Sequence, residues 1–342
     1  MRLGFRWYGP DDAVGLGQIR QIPAMTDLVT SLHDVPPGVA WTDVAISARQ
    51  RVVEAAGMTW TVVESIPVPE SIKLGAADRD IGIEAWCSTL VALGEAGIGT
   101  VCYNFMPVFD WLRTDLYKLR PDGSTTLAFA QDDLEEFVLS GGIDTLPAWA
   151  EQYTPDRLKA LLDGFARVDT EQLWANLAYF LERVVPVAER AGVRLAIHPD
   201  DPPWPVFGLP RIVTDQDAIR RLLALQDSAA HGLTFCTGSL GSLAGNDLVA
   251  MAAEFGERTH FVHARNVRVL AERSFEETAH PEGDVRLPAV LSALAASGFT
   301  GTVRPDHGRM IWGETGRVGY GLFDRALGAA YIKGILDAQA LG

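Results

Sequence analysis

Two histidines, a cysteine and an aspartate each lie at or near the end of a short apolar run in this sequence. They are His198, Cys236, His263 and Asp306. Imidazole, thiolate and carboxylate groups together form a donor set for one divalent ion that leaves room for water or substrate. A histidine alone there is often structural, and a lone cysteine is more often an inert buried thiol. Because all four occupy matching positions, the sequence predicts a metal site.

Three further residues have chemistry that would complement a bound metal. His307 follows Asp306 directly, and Tyr320 lies between two glycines that let the backbone approach a site closely. These two residues are predicted to be the acid–base groups, with their individual roles left open. Arg265 is expected to face the same side as His263 and to clamp a carboxylate. The plainer alternatives are a capping histidine, a loop tyrosine and a surface arginine.

Other polar residues end the remaining apolar runs and are expected to contact substrate. They are Tyr8, His33, Glu64, Asn104 and Asp200, and Arg6 has the same kind of position. In the proline-rich segment HPDDPP (198–203), Asp200 or Asp201 is expected to orient a ligand histidine. The remaining histidines are interpreted as structural (His231 and His260) or left undecided (His280).

Eight short apolar runs would position these residues. They are LGFRWYG (3–9), TDLVTSLH (26–33), TWTVVESI (59–66), TVCYNFMPV (100–108), RLAIHPD (194–200), LTFCTG (233–238), HFVHARNV (260–267) and TGTVRPDHG (300–308). Continuous apolar character is typical of parallel strands that are covered on both faces. Barrel enzymes keep their active sites at the carboxyl ends of such strands, where the polar residues fall. The predicted fold is an α/β (β/α)₈ TIM barrel.

Helical patterns separate most of the runs, and several end in glycine, as helices commonly do. They include 41–57, 85–97, 173–192 and 288–298. The spacing after the fourth run is about twice the usual one, which predicts a helical insertion at about 109–172. It contains the turn-rich RPDGSTT and the helical patterns DDLEEFVLS and TPDRLKALLDGF. We expect residues 1–342 to form one barrel domain, with the insertion as a lid or an oligomer contact.

Composition excludes several classes of function. The 342 residues are 48% hydrophobic and carry a formal net charge of −15 without a basic cluster, which disfavours nucleic acid as a partner. No window approaches about 18 consecutive apolar residues, so a membrane span is not expected. The N-terminus has no secretion signal pattern, and three cysteines cannot make a disulfide framework, which together favour the cytoplasm. Nucleotide-binding glycine motifs and a GxSxG elbow are absent.

Long motifs along almost the whole chain resemble the mannonate dehydratase family. They are FRWYGPDD (5–12), SLHDVPPG (31–38), VVESIPV (62–68), TVCYNFMPVFDWLRTDL (100–116), AIHPDDPP (196–203), GLPRIV (208–213), FCTGS (235–239), VHARNV (262–267), RPDHGRMIWGE (304–314) and GYGLFDRALG (319–328). The resemblance runs from about residue 5 to residue 336. It implies a xylose-isomerase-like barrel, a lyase (hydro-lyase) of carbohydrate metabolism.

The resemblance also implies a reaction, a cofactor and site residues. The reaction is dehydration of D-mannonate to 2-keto-3-deoxy-D-gluconate in the catabolism of hexuronates such as glucuronate, with manganese (Mn²⁺) or iron (Fe²⁺). By affinity the donor set would also take Zn²⁺ in a purified sample. The implied ligands and acid–base residues are the ones predicted above. A homo-oligomer, dimer or tetramer, with a small sugar acid as its substrate, is expected.

The chain departs from the family pattern just after the motif with Cys236. The family continues with an Arg-Pro-Asp-Asn-Asp type of loop, whereas this chain has SLAGND (242–247), with Leu243 at the position of the arginine. Two alternatives to the dehydratase therefore stay open. One is a sugar isomerase or epimerase on the same barrel, and the other is a non-catalytic, metal-dependent sugar-acid binding protein.

Overall fold

The computed structural model describes residues 1–139 and 153–340. Within this part, twelve strands are present: β1 (Arg2–Arg6), β2 (Asp27–Thr30), β3 (Thr59–Glu64), β4 (Thr100–Tyr103), β5 (Asp115–Leu119), β6 (Thr125–Ala130), β7 (Arg194–Ile197), β8 (His231–Cys236), β9 (Thr259–Ala264), β10 (Asn266–Ala271), β11 (Ser274–Thr278) and β12 (Thr302–Pro305). Eight of these close into a parallel barrel in the order β1-β12-β9-β8-β7-β4-β3-β2. All eight are the apolar runs that the sequence analysis interpreted as strands, so the predicted barrel is confirmed.

Helices cover the outside of the barrel. They are α1 (Leu16–Ile19), α2 (Asp43–Ala55), α3 (Glu70–Leu74), α4 (Arg79–Glu95), α5 (Gln131–Leu139), α6 (Pro155–Phe165), α7 (Thr170–Ala191), α8 (Gln216–Ala224), α9 (Thr237–Gly241), α10 (Leu248–Phe255), α11 (Leu287–Ala296) and α12 (Leu322–Ala340). Asp169 caps α7 by accepting a hydrogen bond from the Gln172 amide, and Gly192 ends it with a φ of 68°. The sequence pattern at 173–192 includes Gly192 at its end, but it begins three residues after Thr170, the first residue of α7.

A second sheet lies beside the barrel and was not predicted. Its strands run antiparallel in the order β10-β11-β6-β5. The hairpin β5–β6 belongs to the insertion after β4, whereas the strands β10 and β11 follow β9. The second sheet therefore joins two segments of the chain that lie outside the barrel. The segment predicted as one run at 260–267 is divided by Arg265, because the chain leaves the barrel there and enters the second sheet.

The insertion also contains the two predicted helices. α5 and α6 correspond to DDLEEFVLS and TPDRLKALLDGF, and the turn-rich RPDGSTT connects β5 and β6. The last residue of the first pattern, Ser140, lies outside the described residues. No helix in the described ranges is both long and apolar enough to cross a membrane.

The apolar core has two parts. The larger cluster includes the side chains packed between the barrel strands and the helices. The smaller cluster comprises Val29, Val62, Cys102, Ala196 and Phe261, each from a different barrel strand. Since alternate residues of a barrel strand face inward, these five side chains fill the barrel interior. Phe261 packs edge-on against the His263 ring, with 4.8 Å between centroids, so this inner cluster supports the polar residues above it.

Candidate active site

A cavity of about 350 Å³ opens at the carboxyl ends of the barrel strands. It is lined by ten of the twelve residues predicted from sequence to form the site: Tyr8, His33, Glu64, Asn104, His198, His263, Arg265, Asp306, His307 and Tyr320. Cys236 is completely buried and lies against two of these residues. The remaining predicted residue, Asp200, is not part of the lining.

The four predicted metal ligands converge on one point. His198 Nε2 lies 3.1 Å from His263 Nδ1, and one donor atom each of His198, Cys236 and His263 falls within 4.8 Å of the others. Asp306 Oδ2 completes the group at 3.7 Å from His263 Nδ1 and 3.9 Å from Cys236 Sγ. These separations correspond to donor atoms around a single small ion. The register explains the convergence, because Cys236 and His263 are directly paired across β8 and β9.

Electrostatics prepare the thiol and its neighbouring imidazole for this role. Burial alone would raise the pKa of Cys236, but Arg265 and His198 hold it well below its usual value. Burial opposes protonation of His198, yet Cys236 and Asp306 raise the pKa of that imidazole to about 9. The pair is therefore a thiolate beside an imidazolium, and a cation can replace the proton that His198 carries.

Hydrogen bonds fix how two of these ligands are presented. His198 Nδ1 lies 2.6 Å from the carbonyl oxygen of Pro199, which leaves Nε2 directed at the other donors. The Ser239 hydroxyl donates to Cys236 Sγ at 3.2 Å. His263 Nε2 is buried without a hydrogen bond of good geometry, although Glu64 Oε2 is 3.3 Å away. Two imidazoles, a thiolate and a carboxylate, with these donor atoms close to one another, fit a divalent metal ion.

The two predicted acid–base residues contact each other beside the ligand group. Tyr320 Oη and His307 Nε2 are 2.8 Å apart, and their rings meet edge to face. Burial first, and the negative charge of Asp306 with it, raises the pKa of the Tyr320 phenol well above its usual value. Tyr320 is thus held as a protonated phenol that can donate a proton.

Buried ion pairs surround the site. Glu64 is held by the Arg304 guanidinium at 2.7 and 2.9 Å and also pairs with Arg6. Arg304 also donates to Asp306 Oδ1 at 2.7 Å. A second group of possible donors, Glu64, Cys102 and His263, shares His263 with the first. Because Arg304 and Arg6 already bind the carboxylate of Glu64, this second group of donors fits a metal ion less well.

Arg265, predicted as a carboxylate clamp, lines the cavity and is paired with a buried carboxylate of the protein itself. Its side chain is 1% exposed, and Nη1 donates to Asp201 Oδ2 at 2.8 Å. The same nitrogen lies 3.7 Å from Asp306 Oδ2 and 3.3 Å from His307 Nδ1. Its charge therefore acts on the site from within a buried network.

The expectation that Asp200 contacts substrate is not met in the structure. Its carboxylate is buried and accepts hydrogen bonds from the backbone amides of Ile212 and Val213, the latter at 3.1 Å. It holds the connection after β7 in place. Neither Asp200 nor Asp201 has a hydrogen bond to His198, whose ring is oriented by the Pro199 carbonyl instead. The prolines make HPDDPP conspicuous in the sequence. In the structure, Asp200 accepts hydrogen bonds from backbone amides, and Asp201 binds Arg113 and Arg265.

The three other histidines examined in the sequence are buried away from the cavity. His231 begins β8 at the amino-terminal end of the barrel, with Nε2 3.0 Å from the Leu222 carbonyl oxygen. His260 lies near the start of β9 and is also buried. His280, undecided from sequence, packs against Gly328, where an added Cβ would come within 2.3 Å of its ring. None of the three lines the cavity.

Several residues of the site were missed in the sequence. Asp110, Trp111 and Arg317 line the cavity from segments outside the barrel strands. Arg317 is exposed, with its guanidinium 4.3 Å from the centre of the Tyr8 ring. Glu277 on β11 touches His307, as described below. A search restricted to strand ends cannot find them, although Asp110 and Trp111 lie within the family motif TVCYNFMPVFDWLRTDL.

The loop that departs from the family pattern lies elsewhere. Leu243 lines two other surface cavities, together with Ala244, and does not border the catalytic cavity. None of residues 242–247 lines the cavity that contains the metal ligands and His307.

A parallel (β/α)₈ barrel with convergent metal donors and a tyrosine–histidine pair at its carboxyl end defines the class, a metal-dependent enzyme acting on a small polar substrate. The comparisons with known proteins agree. The family model described as D-mannonate dehydratase (UxuA) matches residues 1–341. The chain therefore belongs to the D-mannonate dehydratase family.

Individual relatives extend over the full length. The mannonate dehydratase of Oceanobacillus iheyensis is 50% identical over 98% of this chain and 97% of its own, and that of Streptococcus uberis is 48% identical over 99% and 98%. The crystal structure of mannonate dehydratase from Streptococcus suis serotype 2 superposes with a TM-score of 0.91 at 46% identity, covering 99% of this chain and 95% of that one. D-psicose 3-epimerase from Clostridium cellulolyticum, at 12% identity and a TM-score of 0.58, shares the barrel fold.

Proposed function

We propose that this protein removes water from D-mannonate to form 2-keto-3-deoxy-D-gluconate, as a hydro-lyase of hexuronate catabolism. The observation that carries the proposal is the 2.8 Å contact between Tyr320 and His307, directly beside the convergent donors. β-Elimination from an aldonate needs one group to remove the C2 proton and another to protonate the departing C3 hydroxyl. The site has one candidate group for each role, and the two side chains lie within hydrogen-bond distance of each other.

His198, Cys236, His263 and Asp306 would hold the metal, and we propose Mn²⁺ or Fe²⁺ as the ion, with Zn²⁺ as a substitute in purified protein. When bound, a divalent ion supplies positive charge next to the substrate carboxylate and makes the C2 proton more acidic. The thiolate of Cys236 and the anionic Asp306 offset part of that charge. Cys236 and Asp306 are both buried, and Asp306 borders the cavity in which the substrate would bind.

The proton inventory assigns a role to each acid–base residue. Because burial raises the pKa of Tyr320 and favours its protonated phenol, we propose Tyr320 as the proton donor to the C3 oxygen. His307 Nε2, which receives the Tyr320 hydrogen bond, is the acceptor for the C2 proton. The C2–H and C3–O bonds break, the C2–C3 double bond forms, and the hydroxyl leaves as water. The resulting enol then becomes the 2-keto acid without further catalysis.

The remaining lining residues would hold the sugar hydroxyls. Burial and the nearby Arg6 lower the pKa of His33 to about 3, so its neutral ring can both donate and accept a hydrogen bond. The ring stacks on Tyr8 with 5.3 Å between centroids. Asn104 lines the same cavity and adds an amide. We propose that Arg265 contributes its charge toward the substrate carboxylate while remaining paired with Asp201.

Turnover of a panel of aldonates with Mn²⁺ tests this function. The assay measures 2-keto-3-deoxy acid, and we expect the product from D-mannonate in preference to its epimers. A product that retains the mass of its substrate would indicate an isomerase or epimerase instead. Binding of mannonate without turnover would indicate a sugar-acid binding protein. Either of these results would overturn the proposal.

We also propose that the protein works in the cytoplasm as a homodimer or homotetramer. All three cysteines are unpaired, as expected in a reducing compartment. Val44 on α2 and Ile81 on α4 are 77% and 70% exposed, on two helices that contact each other, and a partner copy could cover them. Light scattering should give two or four times the 37.1 kDa of one chain. A mass of one chain at micromolar concentration would contradict this.

A further inference from the structure

The second nitrogen of His307 is engaged by a residue from outside the barrel. His307 Nδ1 lies 2.8 Å from Glu277 Oε1, while Nε2 on the other side of the ring lies 2.8 Å from Tyr320 Oη. Carboxylate, imidazole and phenol thus form a continuous line. Glu277 is 1% exposed and lines no part of the cavity, so it acts on the site through His307.

The second sheet delivers Glu277 to this position. On β11, Glu277 pairs with Val267 of β10, and its carbonyl accepts a hydrogen bond from the Thr126 hydroxyl of β6 at 2.9 Å. Neighbouring side chains of a strand face opposite sides. Glu276 accordingly points away and pairs with Lys118 and Arg120 at 3.0 and 2.9 Å.

A buried cation keeps Glu277 ionised and in place. Arg113, fully buried before β5, donates to Glu277 Oε1 from Nε at 3.0 Å and from Nη2 at 2.6 Å. It also binds Asp201 with two hydrogen bonds, at 2.8 and 3.0 Å. Burial opposes ionisation of Glu277, but its neighbours His307, Arg113 and Arg265 lower its pKa. An ionised carboxylate has no proton to donate, so it can only accept a hydrogen bond from the ring it faces.

We propose that Glu277 is the positioning residue for His307: it accepts a hydrogen bond from Nδ1–H, which selects that tautomer and directs Nε2 at Tyr320 and the substrate. The inference rests on the proposed function of His307 as the base. It gives the second sheet a role in catalysis, because β11 carries the carboxylate and the segment before β5 carries its counter-ion. The sheet is then part of the catalytic apparatus as well as a cover over the barrel.

The competing contact at Nδ1 favours the same tautomer. Arg265 Nη1 lies 3.3 Å from His307 Nδ1, farther than Glu277, and already donates to Asp201 at 2.8 Å. An unprotonated Nδ1 could accept from Arg265, but its lone pair would then face the carboxylate oxygen at 2.8 Å. That arrangement is repulsive, whereas Nδ1–H donating to Glu277 satisfies both groups.

Glu277→Gln tests the proposal, with Glu276→Gln as its matched control on the same strand. The first change keeps the shape of the side chain but removes the charge that holds His307. We expect kcat to fall by about 100-fold with KM changed less than about threefold, because the substrate contacts remain. Metal content, measured by elemental analysis, should stay equal to wild type. The control variant should keep kcat within about twofold.

A kcat of Glu277→Gln within threefold of wild type, in folded and metal-loaded protein, would overturn the proposal. Glu277→Asp, which restores the charge one methylene farther away, should recover part of the lost kcat. Equal losses of kcat in the Asp and Gln variants would contradict a role of the carboxylate charge.

A direct measurement on the wild type reports the tautomer itself and does not depend on the kinetics of a variant. Histidine ¹⁵N correlation spectra of the Zn²⁺-loaded protein, with His307 assigned by substitution, should show a protonated Nδ1 and an unprotonated Nε2. The reverse tautomer would overturn the inference. This result stands even if no aldonate is turned over, so failure of the proposed function and failure of the positioning role are distinguishable.

Discussion

Individual side chains at this site are held by charge as much as by packing. Arg304 is fully buried and joins Glu64 to Asp306, and Arg265 joins Asp201 to the vicinity of His307. Fixed charges in a dry cavity stabilise developing charge without having to reorganise during the reaction. Exchanging one of these residues should therefore affect rate more than substrate affinity.

His307 and Tyr320 allow the clearest test of the chemistry. His307→Ala and Tyr320→Phe should each lower kcat by at least about 100-fold, because each removes one proton-transfer group. Neither side chain is one of the four convergent donors, so metal content should remain at the wild-type level. Elemental analysis alongside steady-state kinetics checks both statements. Loss of metal from His307→Ala would instead make His307 a ligand.

Gly238 provides the space that Arg265 occupies. A Cβ at this position would lie 1.8 Å from Arg265 Nε, and the arginine cannot withdraw because Asp201 holds its guanidinium. Gly238→Ala should therefore lower the free energy of unfolding by about 1 to 3 kcal/mol and reduce kcat by displacing Arg265. Urea denaturation and kinetics measure the two effects.

Gly245→Ala is the matched control, since nothing lies within 4 Å of the Cβ it would add. Its free energy of unfolding should stay within about 0.5 kcal/mol of wild type. If both alanine variants behave alike, the close approach between Gly238 and Arg265 is not a constraint.

Among the elements, the hairpin β5–β6 and the strands β10–β11 are joined to the barrel by buried charges. Arg113 stands just before β5 and binds Asp201 from the barrel side and Glu277 from β11. Phe275 lies under its guanidinium, 4.9 Å from the ring centre. The Arg113 side chain therefore links the hairpin β5–β6 and the strands β10–β11 to the loop after β7.

Arg113→Met should lower the free energy of unfolding by about 3 to 5 kcal/mol, because it leaves two buried carboxylates short of their counter-ion. Lys118→Met on the same hairpin removes a half-exposed ion pair with Glu276 and should cost about 1 kcal/mol or less. Denaturant unfolding of both variants compares them directly. Equal destabilisation would mean that the buried network does not anchor the hairpin.

The loop at 242–247 gives a second prediction at this scale. Leu243→Arg restores the residue type of the family pattern, and it should leave kcat/KM for D-mannonate within about threefold, because Leu243 is not part of the cavity lining. A larger change in kcat/KM would show that this loop reaches the substrate.

At the scale of the whole molecule, a chain of net charge −15 accepts an anionic substrate. Positive groups are concentrated where the anion must go, with Arg6, Arg265, Arg304 and Arg317 lining the cavity. The acidity of the remainder favours solubility and has little effect at short range, since salt screens exposed charges beyond about 10 Å at 0.1 M.

Buried neutral histidines should make the whole molecule sensitive to acid. Burial lowers the pKa of His231 to about 4, whereas an unfolded histidine has a pKa of about 6.5. Between these values the unfolded chain binds a proton that the folded chain does not, so the free energy of unfolding decreases as pH falls from about 6.5 to about 4. This residue contributes up to about 3 kcal/mol of that loss.

His231→Gln removes this contribution while keeping a donor for the Leu222 carbonyl. Urea unfolding at pH 7, 5.5 and 4.5 should show a shallower pH dependence for the variant than for wild type. The same pH dependence in both proteins would show that His231 is protonated in the folded state. The site residues play no part in this test, because His231 lies at the opposite end of the barrel.

Much of this molecule was determined by sequence alone. All eight barrel strands were predicted because each is a local apolar run, and His198, Cys236, His263 and Asp306 were predicted because strand ends in such a barrel face one site. The family motifs then supplied the reaction. The end of α7 at Gly192 was equally visible, since this glycine acts on the turn next to it, whereas the cap Asp169 was not recognised.

Only the tertiary structure decided the contacts between distant segments. β6 and β11 are far apart in the chain, yet Phe129 pairs with Phe275, and no local pattern predicts such a register. The partners of buried charges were equally hidden: Arg265 binds Asp201, Asp200 binds backbone, and Glu277 reaches His307. A residue's type tells what it can bind, but which partner comes within 3 Å depends on how the whole chain packs.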